Sequence, residues 1–560
     1  MKNNLNNNNS FLKNALILIS PFKKKLIFIF VSMILTAAVA TIMPIINMTI
    51  VDEGIVASNL RVLIRMLIIS ASLFILGRVL EFLQFREFVK INKIFYFRLL
   101  SKAQNHLMKL PKKYFDEKNE MQILNDIRMD LGKITLLTDR FLLMSIIQIF
   151  IVVGSIIGLF IINPLLLLII VAAAPIKFFT IRFFANRHEK IMKKLLDAYT
   201  NFNNIIGDGF KNIVLIKLWG LRSRKLKEFR YKQKDIIHSQ IDMEYNNNFN
   251  ENADAFLNFI INIIVYVVGF FSILNGTLTI GGIFAFMTYT NQILNPISFI
   301  SRIQHLFADI KPSLKRHIEF LELVEESPNS KNKKIKIPNK ITFSKVSLKY
   351  NNNSDNMALK DVDIEIKRGQ KIAFVGENGS GKSSVLSLLL RLYEPSFGRI
   401  LFDGCDIQDY NIYEYRNLFS VISQDIQFFN KNIKENIDPL GKLDYDDIKE
   451  LFKLYNFNDL LEELPDGLDT HMGNNSAKLS GGQAQKISAL RAFAKNSKIL
   501  ILDEATSKYD LKSEINFNEI ISSCEGFEYI FIITHQKSIL NSCDIIIELD
   551  NGRIKDGVHR

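Results

Sequence analysis

The sequence predicts a membrane domain of six transmembrane α-helices, followed by an α/β domain of the phosphate-loop ATPase type. The first half is dominated by long Ile, Leu and Phe runs, and the second contains a glycine-rich loop between an apolar strand and a helix. With 560 residues the chain is also too long for one ordinary core, because domains generally run to about 100 to 200 residues. The composition changes after Pro338. The predicted organisation is a cytosolic N-terminal segment at 1–22, a transmembrane domain at 23–326 with two long cytoplasmic loops, a linker at 327–340 and the α/β domain at 341–560.

Each predicted span is an apolar stretch of the roughly 20 residues that a helix needs to cross a bilayer. The six spans are Leu26 to Thr49, Val62 to Phe82, Phe141 to Ile161, Leu165 to Phe184, Phe256 to Leu274 and Ile280 to Ile300. The long links between the second and third spans, and between the fourth and fifth, predict that these helices extend beyond the bilayer. A cleaved signal peptide is the alternative for the first stretch, but its apolar run continues past the small-residue triplet at 38–40 to Ile50.

The positions of the basic residues predict the orientation of the protein in the membrane. The net charge of +13 would favour nucleic-acid binding if it formed one patch, but Lys and Arg instead concentrate before the first span and in the two long loops. By the positive-inside rule, both termini and both long loops lie in the cytoplasm. This places the protein in the cell membrane, predicts membrane lipids as partners, and excludes a soluble nucleic-acid ATPase. Arg78 and Glu81, one helical turn apart, are interpreted as an internal ion pair or as side chains that snorkel to the interface, in preference to a substrate site.

A phosphate-binding loop follows the apolar strand Lys371 to Val375 and precedes an apolar helix. Glycines let backbone N–H groups surround phosphate oxygens, Lys382 supplies positive charge, and Ser383 offers a hydroxyl to Mg²⁺. This context predicts ATP and Mg²⁺ as cofactors. The predicted phosphate-loop contacts are Gly376, Asn378, Gly379, Ser380, Gly381, Lys382, Ser383 and Ser384.

A second apolar strand, Lys498 to Leu502, ends in Asp503 and Glu504. These carboxylates should lie at the carboxyl edge of a parallel sheet, where such sheets bind ligands. Asp503 suits Mg²⁺ and Glu504 suits orienting the attacking water, because phosphoryl transfer depends mainly on positioning and charge neutralisation. A surface acidic pair is disfavoured by the apolar run before it.

Between the two motifs lies the pentapeptide Leu479-Ser480-Gly481-Gly482-Gln483. On this segment, in order with the other motifs, the chain resembles the ATP-binding cassette exporters along nearly its whole length. The resemblance implies that the phosphate loop and carboxylates of one chain act with the signature segment, Ser480 to Gln483, of a second chain. The chain would thus be a half-transporter, most simply a homodimer.

The resemblance assigns further roles by position. Tyr350 would stack on adenine, Gln424 would bind Mg²⁺ and link the catalytic site to the membrane half, and His535 would contact the terminal phosphate and join Glu504 and Gln424 as a catalytic residue. Segments Leu110 to Asp116 and Gly209 to Trp219 resemble the two cytoplasmic loops that transmit ATPase motion. Each isolated Tyr, Gln or His could instead be an ordinary packed residue.

Two segments depart from the family pattern. Lys508-Tyr509 replaces a small pair before Asp510, and Gly473 to Ser476 lacks the glutamate usual before the signature. The sequence therefore supports ATP binding more strongly than it supports communication between two ATP sites. The three cysteines have no metal-binding spacing.

The predicted function is ATP-hydrolysing export by alternating access. The cargo is left open among peptides, lipids and amphiphilic small molecules, and an ATP-gated channel or regulatory subunit is the alternative from another class.

Overall fold

A computed structural model of the chain describes residues 17–118, 120–326, 335–350, 356–472, 479–524, 526–534 and 536–555. It divides into two compact units. The described residues up to Asn105 together with Ile123–Glu322 form a helical unit, and His106–Gln122 together with the described residues from Leu323 form an α/β unit. The exact domain boundaries given above stay a prediction. The segment His106–Gln122, which the sequence places in the membrane half, groups with the α/β unit.

The helical unit consists of long apolar helices with short connections. Its helices are α1 (Lys23–Thr49), α2 (Leu60–Leu107), α4 (Glu120–Ile134), α5 (Arg140–Ile162), α6 (Pro164–Lys211), α7 (Ile213–Leu218), α8 (Arg222–Leu274), α9 (Ile280–Leu294) and α10 (Ile297–Leu321). The last residues of α2 and the first of α4 belong to the α/β unit. In the described residues, five helical segments are long and apolar enough to cross a membrane: Ile17–Val56, Leu60–Leu107, Met144–Ile162, Leu166–Lys211 and Arg222–Leu274.

The sixth predicted span is divided. Helix α9 ends at Leu294 after 15 residues, and α10 begins at Ile297. Pro296 lies at the break; proline has no N–H and its ring clashes with the preceding turn. The prediction of one continuous helix from Ile280 to Ile300 is therefore wrong, although its apolar sequence and its place after the fifth span agree with the structure.

The predicted extension of helices beyond the bilayer is confirmed for the second, fourth and fifth spans and is wrong for the third. Helices α2 and α6 each have 48 residues and α8 has 53, so each is about 70 to 80 Å long and far exceeds a bilayer. The third span does not extend, because α5 begins at Arg140 after a turn of 3₁₀ helix at Thr135–Thr138. Sequence hydropathy could not locate this turn, which interrupts an otherwise helical stretch.

Some polar groups inside the helical unit bond to a neighbouring helix. The hydroxyl of Tyr289 donates to the carbonyl of Thr41 at 2.5 Å, and Gln292 donates to the carbonyl of Ala40 at 3.1 Å. Gly158 makes room for Tyr289, since a Cβ there would lie 2.6 Å from the tyrosine ring. Such contacts matter because an unsatisfied polar group in lipid costs several kcal/mol.

The ion pairs of the helical unit include one with a buried lysine and the one predicted from the sequence. Lys177 of α6 is buried and its ammonium lies 2.9 Å from the carboxylate of Asp254 on α8. The predicted pair between Arg78 and Glu81 is confirmed, at 2.8 Å. Both tie charges within apolar helices to an opposite charge, as the cost of isolated charge there requires.

The α/β unit contains two sheets. Its strands are β1 (Lys340–Leu348), β2 (Leu359–Lys367), β3 (Lys371–Val375), β4 (Phe397–Phe402), β5 (Cys405–Asp406), β6 (Phe419–Ile422), β7 (Ile499–Asp503), β8 (Tyr529–Ile533), β9 (Ile545–Asp550) and β10 (Arg553–Ile554). Its helices are α3 (Lys112–Asp116), α11 (Lys382–Leu389), α12 (Ile412–Asn417), α13 (Ile433–Ile437), α14 (Tyr445–Leu454), α15 (Asn458–Glu463), α16 (Gly481–Ala494), α17 (Leu511–Ser523) and α18 (Lys537–Leu540).

The order of the larger sheet positions the functional loops. It runs β10-β9-β3-β8-β7-β6, and β3, β6, β7, β8 and β9 pair in parallel. Strands β7 and β8 are almost wholly buried apolar runs, as expected for a parallel sheet covered on both faces. The carboxyl ends of β3 and β7 therefore lie at one edge, separated only by β8. The smaller sheet, β2-β1-β4-β5, is antiparallel.

We expect single cysteines at Ser58 and Gly276 to react from outside with a membrane-impermeant thiol reagent, whereas one at Ser223 should not. All three positions are exposed, so burial does not explain a difference. The reason is the orientation set by the basic loops. The measurement is labelling of intact cells in a background whose native cysteines are serine. Permeabilised cells, in which Ser223→Cys must react, are the control, and labelling of Ser223→Cys in intact cells contradicts the orientation.

Candidate nucleotide site

The phosphate loop connects β3 to α11, and it contains positions that only glycine can occupy without strain. Gly376 has φ of 143° and Gly381 has φ of 108°. A Cβ on Gly376 would lie 2.2 Å from the carbonyl oxygen of Leu549, and one on Gly381 would lie 2.7 Å from that of Ala358. These close backbone approaches, together with the positive φ angles, explain the glycines.

Lys382 begins α11 and is buried, with 7% of its surface exposed. Its ammonium donates hydrogen bonds to the carbonyls of Gly376 and Glu377, both at 2.8 Å. The side chain thus folds back over its own loop. This places a positive charge inside the curve of backbone where the sequence predicts phosphate.

The serines of the loop have different surroundings. Ser383 is exposed in the first turn of α11, whereas Ser380 and Ser384 are buried. The hydroxyl of Ser380 is buried with no hydrogen-bond partner in the described part of the chain. Ser384 lies 3.0 Å from the hydroxyl of Tyr350, with either atom able to donate.

Asp503 ends β7 and Glu504 follows it with a positive φ of 49°, which is uncommon outside glycine. The amide of Gln424 donates to the Glu504 carboxylate at 2.6 Å. Burial first, and then the Glu504 carboxylate, raise the pKa of Asp503 above its ordinary value, while Lys382 acts in the opposite direction. The structure therefore brings Gln424, Asp503, Glu504 and Lys382 into one electrostatic neighbourhood.

The signature segment begins α16 with a capping box. The hydroxyl of Ser480 accepts from the N–H of Gln483 at 3.2 Å, and the Gln483 side chain accepts from the N–H of Ser480 at 2.8 Å. Gln483 also donates to Glu463 at 2.9 Å. These contacts fix the first turn of the helix, whose backbone N–H groups form a favourable environment for an anion.

Three predicted features need separate comment. Tyr350 is 40% exposed and packs edge-on against Tyr393, with ring centroids 4.8 Å apart, so part of its ring remains accessible for stacking. His535 lies outside the described residues, as does the segment Gly473 to Ser476. Asn378 and Gly379 lie in the phosphate loop between β3 and α11, and Gly481 is the first residue of α16.

Sequence analysis missed Tyr393 and Gln485. The hydroxyl of Tyr393 donates to Asp116 on α3, and the ammonium of Lys112 lies 5.6 Å from its ring centroid. Tyr393 thus joins Tyr350 to the predicted first cytoplasmic loop. Gln485 is fully buried and bonds to Ser507 and Lys508. No sequence pattern distinguishes either residue, since both partners are distant along the chain.

The fold and site define a phosphate-loop nucleotide-binding domain in one chain with a helical membrane domain. Residues 26–297 match the ABC transporter transmembrane region, and residues 359–507 match the ABC transporter family. The chain therefore belongs to the ATP-binding cassette transporters. It is a half-transporter of the exporter type, a multi-pass membrane protein with its ATPase domain in the cytoplasm, and it couples ATP hydrolysis to export.

Individual relatives agree with this assignment over nearly the full length. A putative multidrug export ATP-binding/permease protein of Bacillus subtilis is 27% identical, over 98% of this chain and 96% of its own length. An ATP-dependent lipid A-core flippase of Albidiferax ferrireducens is 27% identical, over 97% and 94%. The solved structure of a bacterial Atm1-family ABC exporter with ATP bound has a TM-score of 0.79 at 21% identity, covering 96% of this chain and 95% of that one, which shows the shared fold. The predicted fold class, export function and ATP binding are confirmed.

We expect Glu504→Gln to retain ATP binding and lose most of its turnover, by about 100-fold or more, because the amide keeps the contact with Gln424 but is not a base. Lys382→Ala should instead weaken ATP binding itself, because the cation inside the loop is lost. Nucleotide binding and phosphate release by the protein in lipid separate the two effects. Wild-type turnover by Glu504→Gln would contradict the role of that carboxylate.

Proposed function

We propose that two identical chains form the exporter, with two equivalent ATP sites at their interface. In each site, the phosphate loop, Asp503, Glu504 and His535 of one chain would face Ser480 to Gln483 of the other. The observation that carries the proposal is the contact of 2.6 Å between Gln424 and Glu504 beside Asp503. Because this chain holds both the carboxylate and an intact signature segment, twofold symmetry would make both sites competent.

Mg²⁺ fits the residues at this site. Asp503 and Glu504 form a pair of neighbouring carboxylates whose repulsion contributes to the raised pKa of Asp503, and a cation would relieve that repulsion. Asp503, Gln424 and Ser383 offer carboxylate, amide and hydroxyl oxygens, which are the ligands that Mg²⁺ prefers. The ion would neutralise phosphate charge when bound with ATP.

The remaining groups act by position and charge. Lys382, which bonds to two loop carbonyls, would exchange them for phosphate oxygens when ATP binds. Gln424 holds the Glu504 carboxylate, which would orient the attacking water and accept its proton. Tyr350 would stack on adenine, and its contact with Tyr393 would connect nucleotide occupancy to Asp116 in the first cytoplasmic loop.

The cargo we propose is an amphiphilic molecule with a substantial apolar part, of the lipid or drug type. The helical unit contains an open cavity of about 530 Å³ on its surface, which is lined by apolar side chains, some of them more than half exposed. Its lining includes Val171, Ala174, Phe178, Phe179 and Ile293. A cavity of this size and character suits a hydrocarbon or aromatic group better than an extended polar peptide. Relatives named for multidrug export and for a lipid A-core flippase support this class.

For the homodimer, we expect the chain expressed alone to purify as a dimer and to hydrolyse ATP in lipid. The physical reason is that each composite site is completed by a second copy. The measurement combines the mass of the detergent-solubilised particle with ATPase activity, and Glu504→Gln is the control for contaminating ATPases. A monomer, or a sample inactive until a different half-transporter is added, contradicts the homodimer.

For the cargo, Ala174→Trp should lower stimulation of ATPase activity by amphiphilic dyes and lipids about fivefold. The indole would fill the apolar cavity, and the cargo would lose the burial of roughly one small apolar group there. Ala172→Trp is the matched control, since Ala172 is exposed on the same helix outside the lining. The measurement is ATPase rate against concentration of each compound. Equal stimulation of both variants and the wild-type protein, or stimulation by peptides alone, contradicts the proposed cargo.

A further inference from the structure

The loop after the catalytic carboxylate packs directly against the signature segment of the same chain. The stem of Lys508 occupies the space beside Gly481, where a Cβ would lie 2.8 Å from the lysine Cδ and 3.3 Å from its Cβ. A Cβ on Gly482 would lie 3.3 Å from the backbone oxygen of Lys508. Lys508 therefore borders the two glycines that the proposed function places against the ATP of the other chain.

The backbone on both sides of Lys508 is held in place. Its N–H donates to the side chain of buried Gln485 at 3.0 Å, and the amide of Gln485 donates to Ser507 at 3.2 Å. On the other side, Tyr509 packs edge-on against Phe517, with ring centroids 5.6 Å apart. These contacts hold the loop on both sides of Lys508, in the segment where Lys508-Tyr509 replaces the small pair of the family pattern.

Within the described part of the chain, the ammonium of Lys508 has no salt-bridge partner. Its side chain is exposed, and the salt bridges among the described residues do not include it. The nearby lysine on α16 differs, because the ammonium of Lys486 lies over the ring of Phe457, 6.0 Å from the centroid. Lys508 thus places a positive charge at the edge of the signature segment, without a salt-bridge partner among the residues that the structure describes.

We propose that Lys508 contacts the phosphates of the ATP bound by the partner chain, as an additional cation alongside Ser480 and Gly482. This inference rests on the proposed arrangement of two composite sites. A lysine ammonium attracts phosphate as a compact charge with three donors. The contact would strengthen closure of the two cassettes on ATP and would make that closure more sensitive to salt, since the charge is exposed to solvent.

The test is an ATP titration of ATPase activity at several salt concentrations, with the full chain in lipid. Lys508→Met keeps the length of the stem but removes the charge, Lys508→Ala removes both, and Lys508→Arg keeps the charge. Lys512→Met is the matched control, because Lys512 is another exposed lysine four residues along.

We expect Lys508→Met and Lys508→Ala to raise the half-saturating ATP concentration about three- to tenfold, the effect of losing one charge-assisted contact, and to flatten its salt dependence. Lys508→Arg and Lys512→Met should behave as the wild-type protein. A normal titration for Lys508→Met overturns the proposal, and a shift in Lys508→Ala alone assigns Lys508 a packing role instead.

Different results would contradict the homodimer and the role of Lys508. If the chain is active only with a different half-transporter, the homodimer is wrong, and the same titration of the mixed pair still tests Lys508. If Lys382→Ala abolishes binding and Lys508→Met changes nothing, the ATP site stands and the role of Lys508 is rejected.

Discussion

The close backbone packing around the phosphate loop is the constraint on which the α/β unit depends. Gly376 and Gly381 bring the loop against the carbonyls of Leu549 and Ala358, at distances that no side chain permits. This packing ties the loop both to β9 of the parallel sheet and to the residue before β2 of the antiparallel sheet. The two sheets therefore meet at the predicted phosphate site, and Lys382 is buried there rather than extended into solvent.

The charges at the site follow from that arrangement. Two carboxylates end the strand β7 and lie near one buried lysine, so negative charge exceeds positive charge before any ligand arrives. The repulsion favours binding of cations and of groups that bring cations with them. Nucleotide with Mg²⁺ supplies such a group. Gln424 contacts Glu504 directly, and movement of the carboxylate is thereby linked to the segment after β6.

In the membrane half, polar groups lie among apolar helices. Apolar side chains cover long helices, and some polar groups inside bond to neighbouring helices or to opposite charges, as Lys177 does with Asp254. Pro175 remains inside α6, whereas Pro296 lies at the break between α9 and α10. The presence of a proline consequently does not by itself determine where a helix ends.

The sequence by itself determined the apolar spans, their orientation, the phosphate loop, the carboxylate pair and the signature segment, because each is a local pattern of residue types. Only the tertiary structure decided the break in the sixth span, the turn before the third, and the contacts of Tyr393 and Gln485. Those features depend on partners more than 20 residues away in the chain or on competition between local and long-range packing. The same holds for Lys508: its replacement is visible in the sequence, but its place beside Gly481 results from folding of the loop against α16.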